Sequence, residues 1–436
     1  VRTANECPSD DIEESWGRLL MVRMISKLQF AAILAVVACS NSAVPLPVST
    51  VANGNSATAH LNRSAHWPHY SIIDLGTLGG TNVSPGDIND AGVVSGIATT
   101  ASYVTQGFLW RKGDIAALKT WGGPNSFAWA LNDHAAVSGW AEAAKPNPNG
   151  EDWGFGTNLI VLPTVWSDGH MVALPLLGGN NGLATGINDL GQTGGAAETA
   201  KADRMCKPPQ VLGIKPVIWR HGSVQVQLPT WPGDSIGGVT DINDRGWAIG
   251  ASGFCGIGPS QIPFNLRHGL LWHDGKMINL GTLGGSTGQE PSQINDRNQV
   301  VGQSDLAGDK AYHGFLWEHG KLTDLGALPE DCCSIANDIA PNGLIGGLSC
   351  KSPGSRLMPR GAGARNCRGV LWKDGAIVDV NELISSHSPL LITIINGGPN
   401  AAGQIAGAAL VKKTHELHGF LATPCDDFSM QMFECE

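Results

Sequence analysis

The chain has 436 residues; only 15% are charged, 58 are glycine, and the formal net charge is −10. That balance argues against a nucleic-acid binder and against a ligand of anionic membranes, since both of those surfaces recruit basic patches. Length alone would allow two or three domains, but almost all of the chain is one repeat array, so a single domain is expected.

In chain order, residues 1–20 are acidic and precede Met21 and Met24, and they read as a mis-assigned start. Residues 21–43 have the layout of an export signal. Arg23 and Lys27 give a basic beginning, Leu28 to Ala38 form an apolar run too short to span a bilayer, and small residues follow. Two cleavage readings compete. Val36-Val37-Ala38-Cys39 resembles a lipobox, which would lipidate Cys39; Asn41-Ser42-Ala43 is an ordinary cleavage site before Val44. Either way the chain is expected to be exported, whether extracellular, periplasmic or anchored to an outer membrane, with no transmembrane segment. Residues 44–67, rich in Ser, Ala, Asn and Pro, read as a flexible lead-in.

From residue 68 onward four short apolar runs recur. Run a ends at Ile-Asn-Asp, as at Ile88, Ile187, Ile242 and Ile294. Run b is of the Val-Val-Ser-Gly type, as at Val93 to Gly96. Run c ends in Trp110, Trp166, Trp219, Trp272, Trp317 or Trp372. Run d is of the Leu-Gly-Thr-Leu type, as at Leu280 to Leu283. The runs are short, rich in β-branched and aromatic residues, and bounded by Gly, Asn, Asp and Pro, so they predict strands. Asn89-Asp90-Ala91-Gly92 and its counterparts join a to b, and Trp-x-x-Gly joins c to d. Both turns use residues that tolerate positive φ. The b-to-c connections are long and variable.

Four antiparallel strands repeated radially describe a β-propeller blade. Seven a-b-c sets are present, the last at 399–421, and a d run at Ile72 to Leu78 precedes them all. The expectation is therefore an all-β, seven-bladed β-propeller over residues 68–425, with the N-terminal strand closing the last blade. A tail, 426–436, follows. A solenoid of hairpins would explain the repeats but not the orphan first strand.

Of ten cysteines, setting aside Cys7 and Cys39 leaves eight, an even number that suggests disulfides in an exported protein. Cys350 and Cys367 flank one b-to-c loop and are the first pair expected. Cys206 with Cys255 would tie neighbouring blades, and Cys425 with Cys435 would pin the tail. Zinc ranks far lower, because no Cys-x-x-Cys pair occurs.

Motifs that carry chemistry are few. Gly284-Gly285-Ser286-Thr287-Gly288 matches the Gly-x-Ser-x-Gly elbow, but the elbow needs a strand-to-helix turn, and this segment lies in a d-to-a loop. His415-Glu416-Leu417-His418 is one residue short of a metalloprotease motif. His418 also has counterparts at His313 and His268, which mark the start of a strand. Asp87-x-Asn89-Asp90 and Asp241-x-Asn243-Asp244 lack the alternating ligands and closing bidentate carboxylate of a calcium loop, and hairpin turns explain the pattern. The recurring Trp of run c has the blade period and reads as packing. Tyr103, Trp153, Phe155, Phe254 and Tyr312 do not recur and fall in b-to-c loops, so they are the candidate ligand-stacking residues, against the alternative of loop packing. No catalytic residue, metal site or cofactor is expected.

Laid out this way, the chain resembles the extracellular HAF-repeat proteins of bacteria. The resemblance is carried by Asp74-Leu75-Gly76-Thr77-Leu78-Gly79-Gly80, by Ile88-Asn89-Asp90-Ala91-Gly92-Val93-Val94-Ser95-Gly96 and by His313-Gly314-Phe315-Leu316-Trp317. It spans nearly all of 72–421. Gly314 and Gly419 stand where the family name has Ala. The resemblance implies export and repeat architecture and carries no activity. The leading functional expectation is a monomeric, non-enzymatic module that binds a glycan or a protein partner. The binding surface is the face shared by the b-to-c and d-to-a loops. A propeller-fold glycoside hydrolase or lyase is the alternative, and it would need two carboxylates converging on that face. A structural component of the cell envelope is the third reading.

Overall fold

The computed structural model describes residues 67–255, 264–286, 288–352 and 366–425. The expected signal at 21–43 with Cys39, the lead-in up to residue 66, the tail 426–436 and Cys435 lie outside them.

Strand β1 (Tyr70–Asp74) stands first. Groups of four follow: β2–β5 (Gly79–Ile88, Val94–Thr100, Thr105–Arg111, Asp114–Ala117), β6–β9 (Gly122–Leu131, Val137–Pro146, Leu159–Ser167, His170–Ala173) and β10–β13 (Gly178–Ile187, Gln192–Ala202, Leu212–Arg220, Ser223–Gln227). Next come β14–β17 (Ile236–Ile242, Ala248–Cys255, Phe264–His273, Lys276–Asn279), β18–β21 (Glu290–Ile294, Val300–Asp305, Tyr312–Glu318, Lys321–Asp324) and β22–β25 (Cys333–Ile339, Ile345–Cys350, Cys367–Lys373, Ala376–Asp379). The array ends with β26–β28 (Leu390–Gly397, Ile405–Val411, Leu417–Pro424). The fold is all-β, with a 3-10 turn at Val380–Glu382. Among the described residues no helix is long and apolar enough to cross a membrane.

Five groups, from β6–β9 to β22–β25, are separate four-stranded antiparallel sheets. The sixth sheet has eight strands. In it β2–β5 pair in order, β26–β28 pair in order, and β1 lies antiparallel on β28, with Tyr70 opposite Pro424. One parallel pair, Asn82 with Leu417, joins the two halves. Within each sheet the hairpins put the long second-to-third connections at one end, the loop end, and the first-to-second turns at the other, the turn end.

Local sequence explains these elements. In the third-to-fourth hairpins Lys112-Gly113, Asp168-Gly169 and Asp274-Gly275 all take positive φ at both residues, the geometry that matches strand twist and that only Gly adopts freely at the second position. The glycine of the second strand has a packing reason. A Cβ at Gly139, Gly195 or Gly347 would fall within 3 Å of the ring of Trp166, Trp219 or Trp372. These tryptophans are at most 5% exposed, and three of the series, Trp166, Trp219 and Trp272, also donate Nε1–H to a backbone carbonyl of the preceding loop. Burying an indole while satisfying its N–H is what makes this residue a core anchor.

The first strands stand side by side, each touching the next, and β26 touches β2. Each carries a bulge near its turn end, for example between Pro85 and Asp87 and between Ala336 and Asp338. A bulge re-aims the side chains beside it, and here they turn toward the following group.

Candidate functional site

At the turn end, three sets of hydrogen bonds stitch consecutive groups together. The Asn of each Asn-Asp turn uses Oδ1 to accept backbone N–H groups within its own turn, as Asn89 does from Ala91 and Val93. Its Nδ2 donates to the next turn: Asn89 to Asn132 O, Asn132 to Asn188 O, Asn188 to Asn243 O, Asn243 to Asn295 O and Asn295 to Ala340 O. Asn400 donates to Asn89 O. Ala340 has no amide, so the link from the sixth turn to the seventh is missing. The neighbouring Asp residues repeat the pattern. Asp133 Oδ1 accepts from Asp90 N, Asp189 from Asp133 N, Asp244 from Asp189 N, and Asp90 from Ala401 N.

The third set lies next to the bulges. Asp87 accepts from Leu131 N, Asp241 from Ile294 N and Asp338 from Gly398 N, while Gln293 does the same from Ile339 N. Ala130, Gly186 and Gly397 occupy the corresponding places elsewhere. Asp87 and Asp241 are half-buried, and the strands around them displace most of the solvent. Burial pushes Asp241 up to about 6 and Asp338 up to about 7, and it raises Asp87 well above the carboxylate range. Mutual repulsion among the three adds to the rise for Asp87 and Asp338. The sequence reading explained Asp87 and Asp241 as parts of hairpin turns. The turn belongs to Asn89 and Asn243; the aspartates clasp the next group.

The loop end differs. Glu142 and Glu198 sit three residues after the glycine of β7 and β11 and are fully buried, and Glu151 in the β7–β8 loop is 1% exposed. Glu142 accepts from Asn125 N and Nδ2 and from Thr157 Oγ1. Glu198 accepts from Asn180 N, Asn181 N and Gln210 Nε2. Glu151 accepts from Asn147 Nδ2, Asn181 Nδ2 and Val211 N, and its carboxyl meets that of Glu198. Gly123 and Gly179 make this possible, since a Cβ on either would collide with the acidic side chain. Burial, followed by repulsion from Glu151, pushes Glu198 up to about 7; burial also raises Glu142.

Trp140 and Ala196, two residues before Glu142 and Glu198 on the same strands, line a small apolar cavity of about 40 Å³ together with Trp129, Leu183, Thr185, Thr240 and Leu266 among others. It has room for a few waters or one small substituent, not a sugar ring. Phe127 and Trp140 stack with centroids 4.5 Å apart, and Trp129 lies 6.0 Å from Trp140. Trp129 stands at a bulge position that Thr185 and Thr240 hold in the next two groups, and it is half-buried.

The five sequence-selected aromatics separate. Tyr103 is 69% exposed in the β3–β4 turn. Phe254 lies within β15 rather than in a loop, half-buried, with the Arg267 guanidinium 4.6 Å from its ring centre. Trp153 and Phe155 are 4% exposed and belong to the apolar cluster around the cavity, and Tyr312, 2% exposed, opens β20 within another cluster. As placed, those three pack the loop and offer no face to a ligand. Sulfur bridges join Cys206 to Cys255 and Cys350 to Cys367; the bridge considered for Cys425 involves Cys435, outside the described residues.

The remaining motifs are structural. Ser286 bonds to Asp309 through N and Oγ, with no strand-to-helix turn. His418 and His313 pair with Asp74 and Asp324, acids of outer strands. Ser252, Asp234 and His268 meet, but the carboxylate is in the middle, with Ser252 Oγ 2.5 Å and His268 Nδ1 2.8 Å from Asp234 Oδ2. A nucleophile needs the imidazole between serine and acid. The same arrangement recurs as Ser349, Asp331 and Arg368, where an arginine replaces the histidine, so its role is to hold the loop. No group of metal-ligating side chains forms among the described residues. Sequence reasoning missed Glu142, Glu198 and Trp129. The available signal was a carboxylate or a tryptophan set in an otherwise apolar strand without recurring in most copies.

No family model matches the chain, and no curated protein matches it. Among solved structures it is similar to an oligogalacturonate lyase in complex with manganese, 12% identical with a TM-score of 0.45, over 81% of this chain and 93% of that one. It is also similar to a Trypanosoma rangeli sialidase in complex with sialic acid, 11% identical with a TM-score of 0.37, over 84% of this chain and 60% of that one. A puromycin-hydrolyzing peptidase of Mycobacterium tuberculosis is 10% identical with a TM-score of 0.32, over 79% of this chain and 60% of that one. At these scores none of the three activities is carried to this chain.

Proposed function

We propose that the chain is an exported, seven-bladed β-propeller of the HAF-repeat kind, and that it binds a glycan or a protein partner without transforming it. The four-stranded sheets support the blade reading. The bonds from Asn400 to Asn89 and from Ala401 to Asp90, together with β1 on β28, support closure between the last group and the first. The disulfides suit an oxidising compartment.

One observation carries the binding reading over catalysis. With the β7–β8 loop seated, the carboxylates that converge at the loop end are at most 1% exposed and are engaged by amide and backbone donors, so no substrate reaches them in that arrangement. Glycosidic cleavage needs an acid and a base open to the bond being broken. The recognition surface is then the loop end, with Tyr103 as an exposed aromatic, together with the cavity beneath it that Trp129 and Trp140 line.

A second reading is kept because Glu198, lifted to about 7 beside Glu151, has the protonation of a general acid at neutral pH. Both readings meet one test. The chain from Val44 is titrated against a panel of polysaccharides and cell-wall fragments while products are assayed. Saturable binding with no product supports the module. Product release that disappears in Glu198→Gln replaces it with a hydrolase or lyase.

A further inference from the structure

The β7–β8 loop, residues 147–158, is attached differently from its neighbour. The β11–β12 loop is held to β15 by the Cys206–Cys255 bridge. The β7–β8 loop contains no cysteine. It is internally ordered: Asp152 accepts backbone N–H groups of Gly154, Phe155 and Gly156. It inserts Trp153 and Phe155 into the cluster that contains Trp140, Leu183, Ala196, Ala251 and Leu266, all of which line the cavity. What ties it down is carboxyl chemistry. Glu142 holds Thr157, and Glu151 reaches Asn181 and Val211 and meets Glu198.

We propose that the β7–β8 loop is a lid over the aromatic pocket, latched by the Glu151–Glu198 carboxyl pair, and that it lifts when both carboxyls are ionised. The lid rests on the reading of that pocket as the ligand site. While one carboxyl keeps its proton it donates to the other, and the pair is neutralised by half. With both ionised, two negative charges face each other where little water screens them. Among the described residues no cation bonds to the pair: repulsion from Glu151 is the charge effect that raises Glu198, and within the loop Asp152 acts on Glu142. On the neighbouring strand Lys215 is engaged by Asp203 and Asp234, and Lys201 and Lys207 are exposed. Because Glu198 is raised in the folded protein, the latch is complete at acid pH and is lost as pH rises through about 7. Opening would uncover Trp153 and Phe155 together with the pocket wall, which turns buried aromatics into stacking faces.

Hydrogen–deuterium exchange of the full chain, with no ligand present, reads the latch directly. Rates are corrected for their intrinsic pH dependence, and the hairpin 110–117 serves as the internal reference. The expected result is at least a tenfold loss of protection in 147–158 between pH 5.5 and pH 8.5. Glu198→Gln mimics the protonated acid, accepting from Asn180 and Asn181 while donating to Glu151, and is expected to keep protection within twofold across that range. If that variant fails to fold, Glu151→Gln neutralises the pair from the other side and carries the same expectation. Equal protection of the wild-type loop at both pH values overturns the lid, as does an undiminished pH effect in the folded variant. Since no ligand enters this experiment, an empty binding screen would count against the functional reading alone.

Discussion

The periodic aspartates of the turns and the buried glutamates of the loop end use carboxylates in opposite ways. At the turn end Asp90, Asp133, Asp189, Asp244 and Asp296 recur with the repeat; three of the five are exposed, and Asp189 and Asp244 are half-buried. Each accepts one N–H from an adjoining turn. At the loop end Glu142 and Glu198 stand in two adjacent groups, lie fully buried, and are raised by burial. Asp305, 1% exposed, holds that strand position in a third group, while Thr99, Gly253, Cys350 and Leu410 hold it in the others. A residue that recurs with the period is explained by the fold. A buried carboxylate present in three groups and absent from four costs stability that the fold does not require, and it needs another explanation.

The largest expected effect comes from the covalent ties, which both lie toward the loop end. Cys206–Cys255 closes a separation of 49 residues and Cys350–Cys367 one of 17. Loop-closure entropy predicts that replacing both cysteines by serine costs about 4 kcal/mol for the first bridge and about 3 kcal/mol for the second. Guanidinium midpoints of the two double variants measure this. A smaller loss for the first bridge would mean that hydrogen bonds already restrain the β11–β12 loop, and the contrast with the lid would fail.

Next in size is the turn end. Asn243 is buried, donates to Asn295 O, and accepts from Arg245 N and Trp247 N. Asn243→Ala leaves these groups without partners and is expected to cost about 2–3 kcal/mol. Asn149, which makes one long bond to Glu151 at 3.4 Å, should cost under about 0.5 kcal/mol as alanine. Thermal melts at one pH compare them. Equal losses would erase the distinction between a stitched end and a latched one.

The third effect is a pH dependence shared by both ends. Asp241 is raised from 3.8 to about 6 and Asp338 from 3.8 to about 7. A carboxyl that is raised on folding holds a proton that the unfolded chain has released. Stability therefore falls as pH climbs from about 4 to about 7. Asp241 alone should account for about 1–2 kcal/mol, a figure reduced for its partly accessible surface. Denaturant midpoints between pH 4 and pH 8 are expected to decline, and Asp338→Asn should flatten the slope even where it lowers the midpoint. A midpoint that rises toward neutral pH would show that these clasps are ionised and paired throughout.

How much of this was legible beforehand follows from the same contrast. The strands, their turns and the packing role of the periodic tryptophans could be read because each depends on local chemistry repeated many times: Asn capping its own turn, Gly at positive φ, Gly beneath an indole. The clasping role of Asp87, Asp241 and Asp338 was hidden because their partners, Leu131, Ile294 and Gly398, lie one group further along the chain. For Trp153 and Phe155 the sequence leaves ligand stacking and loop packing both open. Non-recurrence singled them out, but only burial distinguishes a platform from a plug, and the cluster that receives them is assembled from several groups. Glu151 was illegible for the same reason, since its partners come from Asn181 and Val211 of the neighbouring group.

The smallest stability effect belongs to an aromatic with an open surface. Tyr103 is 69% exposed at a positive φ of 62°, and its neighbours Ala101 and Ser102 are exposed as well. Tyr103→Ala should shift the melting midpoint by no more than the equivalent of about 0.5 kcal/mol. Tyr103→Gly, which relieves the left-handed backbone, should do no worse. If the loop end is the recognition surface, the same substitution should weaken binding of whatever the panel identifies by about tenfold, the loss expected of one stacking aromatic. Because the two readouts are predicted to diverge, the variant separates a ligand contact from a structural one. Lost affinity with an unchanged melt assigns Tyr103 to the binding surface, and unchanged affinity restricts recognition to the pocket beneath the β7–β8 loop.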